Sequence, residues 1–131
     1  MLLLDTSAWI EVFRKHKPFD LNRIGGLDEV VTCLPVVQEV LQGFRDESAF
    51  RAAREAMMAL PCIESPLPAE RLQEAVSLYR AARRAGITVR SSVDCLIAAC
   101  AIHRGLTVLH RDRDYASLAR VSPLIERNIG A

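Results

Sequence analysis

A handful of acidic residues in this sequence stand where chemistry could use them. Asp5 ends the apolar run Leu2-Leu3-Leu4, and Asp112 and Asp114 follow Thr107-Val108-Leu109 in the same sense. In an open parallel sheet ligands gather outside the carboxyl ends of the strands, so these acids fall on the productive edge. Taken singly, each also reads as a turn or cap residue, a common use of Asp. Asp94 is harder to explain that way, because every other residue from Val93 to Ile102 is apolar, as in a helix buried on nearly all sides. An unpaired carboxylate there would cost several kcal/mol, so it must cap, pair or bind a cation. Ser91 and Ser92 are already available as caps, which favours the functional reading. Glu39 lies on the margin of a helical apolar face, with Gly43 one turn on leaving room beside it; in isolation it reads as an ordinary boundary Glu. Carboxylates from separate elements are what a hard divalent cation takes, with water and a substrate phosphate completing its shell. Such ions activate water and stabilise an in-line phosphoryl displacement. Between residues 71 and 120 there are also nine arginines against four acids, and three of those acids are among the candidates. An acidic pocket inside an arginine rim suits a phosphodiester polymer. Arg80, Arg83 and Arg84 read more simply as a solvated helix face.

The elements that must position these side chains follow from hydrophobic patterning. Leu2–Leu4 reads as a short buried strand, after which Thr6-Ser7 can cap a helix carrying Ala8, Trp9, Ile10, Val12 and Phe13 inward. Residues 14–28, with Pro18 and Gly25-Gly26, read as a loop with room for a helical turn. Val30–Cys33 is a second strand, and Leu34-Pro35 opens a helix with Val36, Val37, Val40, Leu41 and Phe44 on its apolar face. A further helix runs from about Ser48 to Leu60, and Cys62–Ser65 is expected as a third strand. Pro68 opens an amphipathic helix with Leu72, Ala75, Val76, Leu78 and Tyr79 inward, closed by Gly86. The apolar helix bearing Asp94 is closed by Gly105. Thr107–Leu109 is the fourth strand, and a short helix runs through Leu118. Strands alternating with helices predict an α/β fold, a mostly parallel sheet covered on both faces.

Length and composition bound the possibilities. The 131 residues fit one domain of the usual size, roughly 100–150 residues. Half are hydrophobic and a quarter charged, which excludes disorder. The longest apolar run, Cys95–Ile102, falls far short of the ~20 residues of a membrane span. Charge follows within a few residues of Met1, so no secretory leader is expected and the cytosol is the expected compartment. A net charge of +1 excludes nucleic-acid binding by bulk charge alone. Cys33, Cys62, Cys95 and Cys100 form no Cys-x-x-Cys pair and are expected as free, buried thiols. His16, His103 and His110 are scattered and read as helix-end or loop residues.

With these residues in view, the sequence resembles the PIN-domain nucleases, and within them the VapC-type toxins of bacterial toxin–antitoxin pairs. The resemblance rests on four segments in order: Leu3-Leu4-Asp5-Thr6-Ser7, Val37-Gln38-Glu39-Val40-Leu41-Gln42-Gly43, Asp94-Cys95-Leu96-Ile97-Ala98-Ala99, and Val108-Leu109-His110-Arg111-Asp112-Arg113-Asp114-Tyr115. It implies one PIN-like domain over residues 1–131, a three-layer fold whose mostly parallel sheet of four to five short strands is flanked by helices. It implies a Mg²⁺- or Mn²⁺-dependent ribonuclease hydrolysing RNA phosphodiesters by metal-activated water. Asp5, Glu39, Asp94 and Asp112 would be the acidic quartet, with Asp5, Asp94 and Asp112 as metal ligands. Ser7 resembles the family's hydroxyl beside the first Asp. Thr6 and Asp114 are further candidates, and whether Asp112 or Asp114 is the fourth acid stays open. Family members often carry Thr where this chain has His110. The resemblance also implies a homodimer held in check by a small VapB-like antitoxin.

Arg90, Arg111 and Arg113 are the candidate RNA rim. A receiver-like signalling domain would need a lysine late in the chain, and none follows Lys17. The aspartyl phosphatases need a second Asp two residues after the first, where Ser7 stands. The remaining alternative is a catalytically silent PIN-like scaffold that binds RNA or protein.

Overall fold

The computed structural model describes residues 1–130. Four strands, β1 (Leu2–Leu4), β2 (Val30–Val31), β3 (Thr107–His110) and β4 (Ile125–Asn128), form one sheet in the order β2-β1-β3-β4. Every pairing is parallel, with Leu4 opposite Leu109 in the central pair. Six helices surround it: α1 (Thr6–Val12), α2 (Leu34–Gln42), α3 (Glu47–Met58), α4 (Ala69–Arg84), α5 (Ser92–Arg104) and α6 (Arg113–Ala119). The sheet's apolar residues, Leu3, Leu4, Val30, Val108 and Leu109, are buried together with α5 and with Trp9, Val36, Tyr115 and Leu118. No helix among the described residues is long and apolar enough to cross a membrane.

Three local readings need correction. The expected strand at Cys62–Ser65 is a single bridge between Thr32 and Cys62 at the edge beyond β2. Glu64 breaks the run with a φ of +53°, outside extended geometry. A fourth full strand comes instead from Ile125–Asn128, whose residues show almost no apolar signal because β4 is an exposed edge strand. On α4 the expected inward set splits. Ala75 and Leu78 pack inward, while Leu72, Val76 and Tyr79 face solvent. Two adjacent helical stripes compete here, and the one carrying Arg71, Ala75, Leu78 and Ala82 wins. The small Ala residues allow close approach to α5, and Arg71 turns inward to meet Glu64 and Glu74. Ile10 of α1 is likewise exposed rather than inward.

Two further expectations shift. Cys62 is exposed, whereas Cys33, Cys95 and Cys100 are buried free thiols as anticipated. His110 is neither a loop nor a helix-end residue; it is the last residue of β3 and fully buried. The helix stops behave as read: Gly86 and Gly105 take the left-handed backbone, φ +74° and +64°, that follows α4 and closes α5.

Candidate active site

The strand order reverses between β1 and β3: the chain leaves β1 outward to β2, and leaves β3 outward to β4 on the other side. A crevice opens at such a point beyond the strands' carboxyl ends. Asp5 stands at the end of β1, its N–H donating to the Leu109 carbonyl of β3 at 2.9 Å. Asp112 stands just past β3. From the side, the first turn of α5 delivers Asp94. One carboxylate oxygen from each of these three lies within 4.8 Å of the others.

Both strand-end acids are also helix caps, so the cap reading and the site reading hold together. Asp5 caps α1, its Oδ2 accepting the Ser7 N–H at 3.0 Å and the Ser7 hydroxyl at 2.6 Å. Ser7 Oγ in turn accepts the Arg111 N–H at 2.9 Å, which ties α1 to the segment after β3. Asp112 caps α6, its Oδ1 accepting the Asp114 N–H at 3.0 Å and an Arg90 guanidinium N–H at 3.2 Å. Asp94 caps nothing by its side chain, and neither does Ser91, although Ser91 is the N-cap residue.

Between Asp5 and Asp94 sits the hydroxyl of Tyr115, which sequence reasoning left without a role. Tyr115 is fully buried; its O–H donates to Asp5 Oδ1 at 2.6 Å and reaches Asp94 Oδ1 at 3.3 Å. Burial and the two carboxylates push its pKa well above the usual phenol value, so it stays a donor. Its position, three residues beyond Asp112 in the first turn of α6, was the available signal. His110 was missed too. Its Nδ1 accepts the Asp112 N–H at 3.1 Å, which places the ring proton on Nε2, facing Glu126 Oε1 at 2.7 Å. Glu126 comes from β4, the strand that hydrophobic patterning did not reveal.

The structure separates Asp112 from Asp114. Asp114 is buried, and its Oδ2 accepts the backbone N–H groups of Arg90 (3.0 Å) and Ser91 (3.2 Å), holding the loop that leads into α5. Asp112, a quarter exposed, contributes to the converging trio and Asp114 does not. Glu39 stands apart as well. It accepts the Thr6 hydroxyl at 2.9 Å and lines a groove of about 420 Å³ between α1 and α2, with Ile10, Phe13 and Phe44. Of the arginine rim, Arg90 lies on the acids, Arg111 pairs with Glu11 at 2.8 Å, and Arg113 is exposed. A larger concavity, about 670 Å³ between α4 and α5, lies elsewhere; its carboxylates Glu70 and Glu74 both pair with Arg71.

The trio is electrostatically incomplete. Asp94 is only 5% exposed, and its Oδ2 has no hydrogen-bond partner. Burial first, then the charges of Asp5, Asp112 and Asp114, push its pKa up to about 8. A divalent cation would relieve both defects, since it pairs the free oxygen and offsets the like charges. The donors are all carboxylate oxygens with no His or Cys among them, which fits a hard cation such as Mg²⁺ or Mn²⁺.

Comparison with known proteins identifies the family. The family model described as PIN domain matches residues 2–121. Ribonuclease VapC11 of Mycobacterium tuberculosis is 38% identical over 129 residues, covering 95% of this chain and 96% of the relative. The structure of VapBC-5, a member of the VapBC family of toxin-antitoxin systems from Mycobacterium tuberculosis, superposes with a TM-score of 0.70 at 21% identity, over 97% of both chains. That of VapBC2 from Rickettsia felis, bound to a DNA fragment from its promoter, gives 0.75 at 17%, again over 97% of each. At those identities the structural likeness is one of fold.

Proposed function

Because this chain belongs to the PIN-domain family, we propose that it is a divalent-metal-dependent endoribonuclease, the toxin of a VapBC-type toxin–antitoxin pair. The observation that carries the reading is the convergence of Asp5, Asp94 and Asp112 within 4.8 Å, with one buried Asp94 oxygen unpartnered. The 38% identity to VapC ribonucleases supplies the substrate class, and the VapBC neighbours suggest a small antitoxin as partner.

In this reading Asp5, Asp94 and Asp112 would hold Mg²⁺ or Mn²⁺, and Glu39 would act from the flank. When bound, the ion supplies charge stabilisation at the phosphodiester and lowers the pKa of water for its attack. The chain's own residues do the rest by holding geometry. Ser7, through its N–H and its hydroxyl, orients Asp5, Tyr115 bridges Asp5 and Asp94, and His110 with Glu126 fixes the backbone at Asp112. Arg113, exposed and next to Asp112 in the sequence, would meet a phosphate of single-stranded RNA. The chain would pair as a homodimer, and Leu72, Val76 and Tyr79 are an exposed apolar stripe open to such a contact.

The test is cleavage of total RNA in Mg²⁺, in Mn²⁺ and in EDTA, with Asp94→Asn alongside. Discrete, metal-dependent fragments bearing 5′-phosphates, missing with the variant, are the expected result. Equal cleavage by the variant, or none by the folded, partner-free protein in any metal, would overturn the proposal.

A further inference from the structure

Arg90 is an unusual neighbour for a cation site. It lies in the turn between α4 and α5, and its backbone is anchored because its N–H donates to Asp114 Oδ2. Its guanidinium, 55% exposed, then folds back over the acids. One terminal nitrogen donates to Asp112 Oδ1 at 3.2 Å, and Nε stands 3.6 Å from Asp114 Oδ1. No other basic side chain among the described residues pairs with Asp5, Asp94, Asp112 or Asp114. The single resident positive charge of the pocket therefore rests on one of its three converging carboxylates.

A guanidinium cannot shed its proton, so it yields Asp112 to another cation only by moving away. Its guanidinium is 55% exposed, so leaving Asp112 at 3.2 Å and Asp114 at 3.6 Å gives up contacts that solvent already screens on one side. We propose that Arg90 is a built-in counter-cation that competes with the divalent ion for Asp112 and thereby sets the metal affinity of the site. The inference rests on the metal-dependent reading above. It carries a consequence for substrate. A phosphate that draws Arg90 off Asp112 frees that carboxylate, so polyanion binding and metal binding favour one another through the same side chain. The anchored backbone means the guanidinium swings about a fixed point at the rim of the crevice, within reach of both roles.

The experiment is Mn²⁺ titration of the full chain by calorimetry, comparing wild type, Arg90→Gln, Asp112→Asn and the double variant. Removing a unit charge that contacts one ligand is expected to tighten Mn²⁺ binding about three- to tenfold in Arg90→Gln. In the Asp112→Asn background the same change is expected to give little or no gain, because the competition has lost its object. Arg90→Lys keeps the charge without the planar fork and is expected to stay near wild type, which separates the charge from any effect on folding. A purely structural Arg90 would leave Mn²⁺ affinity unchanged or weaken it, and either result with Arg90→Gln overturns the inference. So does a gain that persists in the double variant. If the wild type binds no Mn²⁺ at all, the metal reading falls first and this inference with it.

Discussion

Asp94→Asn should make the metal-free protein more stable at neutral pH and should flatten its pH dependence. In the folded chain Asp94 is 5% exposed and titrates near pH 8 instead of 3.8, raised first by burial and then by Asp5, Asp112 and Asp114. The folded state thus holds this proton more tightly than the unfolded state does. Asp94 costs no stability below its unfolded value near 3.8, and the penalty grows as the pH rises toward 8. One pKa unit is about 1.4 kcal/mol, so the penalty reaches a ceiling of about 4 kcal/mol at pH 7. Between pH 5 and pH 7 it increases by about 2–3 kcal/mol. Asn is neutral throughout and escapes this term. In EDTA, the difference in unfolding free energy between variant and wild type should therefore grow by that amount from pH 5 to pH 7, a relative Tm shift of roughly 10 °C for a chain of this size. Urea denaturation across the pH range measures it directly. Saturating Mn²⁺ should reverse the order by stabilising the wild type, since binding to the folded state alone raises stability by mass action. Parallel pH profiles for the two proteins in EDTA would refute the reasoning, because they would mean that Asp94 ionises in the folded state as freely as in the unfolded one.

Tyr115→Phe removes the hydroxyl shared by Asp5 and Asp94 but keeps the ring; a hydrogen bond to a charged group contributes about 1.5–3 kcal/mol, so melts in EDTA should show a loss in that range, partly recovered by Mn²⁺, and an unchanged melting point would deny the bridge. His110→Phe retains an aromatic ring beside Tyr115 while stranding the Asp112 N–H and Glu126, and should cost about 2–3 kcal/mol by urea denaturation; Glu126→Gln keeps an acceptor for Nε2 and should cost under about 1 kcal/mol. Arg71→Met removes a 4%-exposed guanidinium from Glu64, Glu70 and Glu74, an expected loss of about 3 kcal/mol. Combining it with Glu64→Gln should restore part of that loss, whereas strict additivity of the two changes would refute their coupling.

Much of the site was legible because its carboxylates break local rules. Asp94 announces itself as the one charge in the apolar stretch Val93–Ile102, and no rearrangement of neighbours short of the fold could make that placement cheap. Asp5 and Asp112 are legible for a second reason: a residue that ends a parallel strand and starts a helix must lie on the sheet's carboxyl edge. The partners were not legible. Tyr115 and His110 matter through contacts that span 110 residues for Tyr115–Asp5 and 16 for His110–Glu126. Nothing in local pattern encodes those distances. The choice between Asp112 and Asp114 is of the same kind. The two lie on one turn, and only the Arg90 and Ser91 amides, arriving from the far end of α4, commit Asp114 to the loop. The inward face of α4 was misread at Leu72, Val76 and Tyr79 because helical periodicity reports which stripes are apolar, not which of two neighbouring stripes finds a partner.

The two acids at the strand ends show why a site so exposed to charge repulsion can be built from such ordinary sequence. Each gives one oxygen to backbone or hydroxyl donors that cap a helix, and those donors are partial positive charges at the positive end of that helix. Capping thus offsets part of the repulsion that bringing the acids together creates, and the residues would be retained as caps even without any bound ion. Asp94 has no such compensation: its hydrogen bond is the outer reach of a hydroxyl already given to Asp5, its second oxygen has no partner, and, beyond burial, the neighbouring Asp114 carboxyl pushes its pKa up further. Asp94 Oδ2 and Asp114 Oδ1 are both buried without a hydrogen-bond partner, so the unfavourable electrostatics fall on these two oxygens, away from the caps. A cation held among Asp5, Asp94 and Asp112 would relieve that local cost, and would gain less by settling at either cap alone.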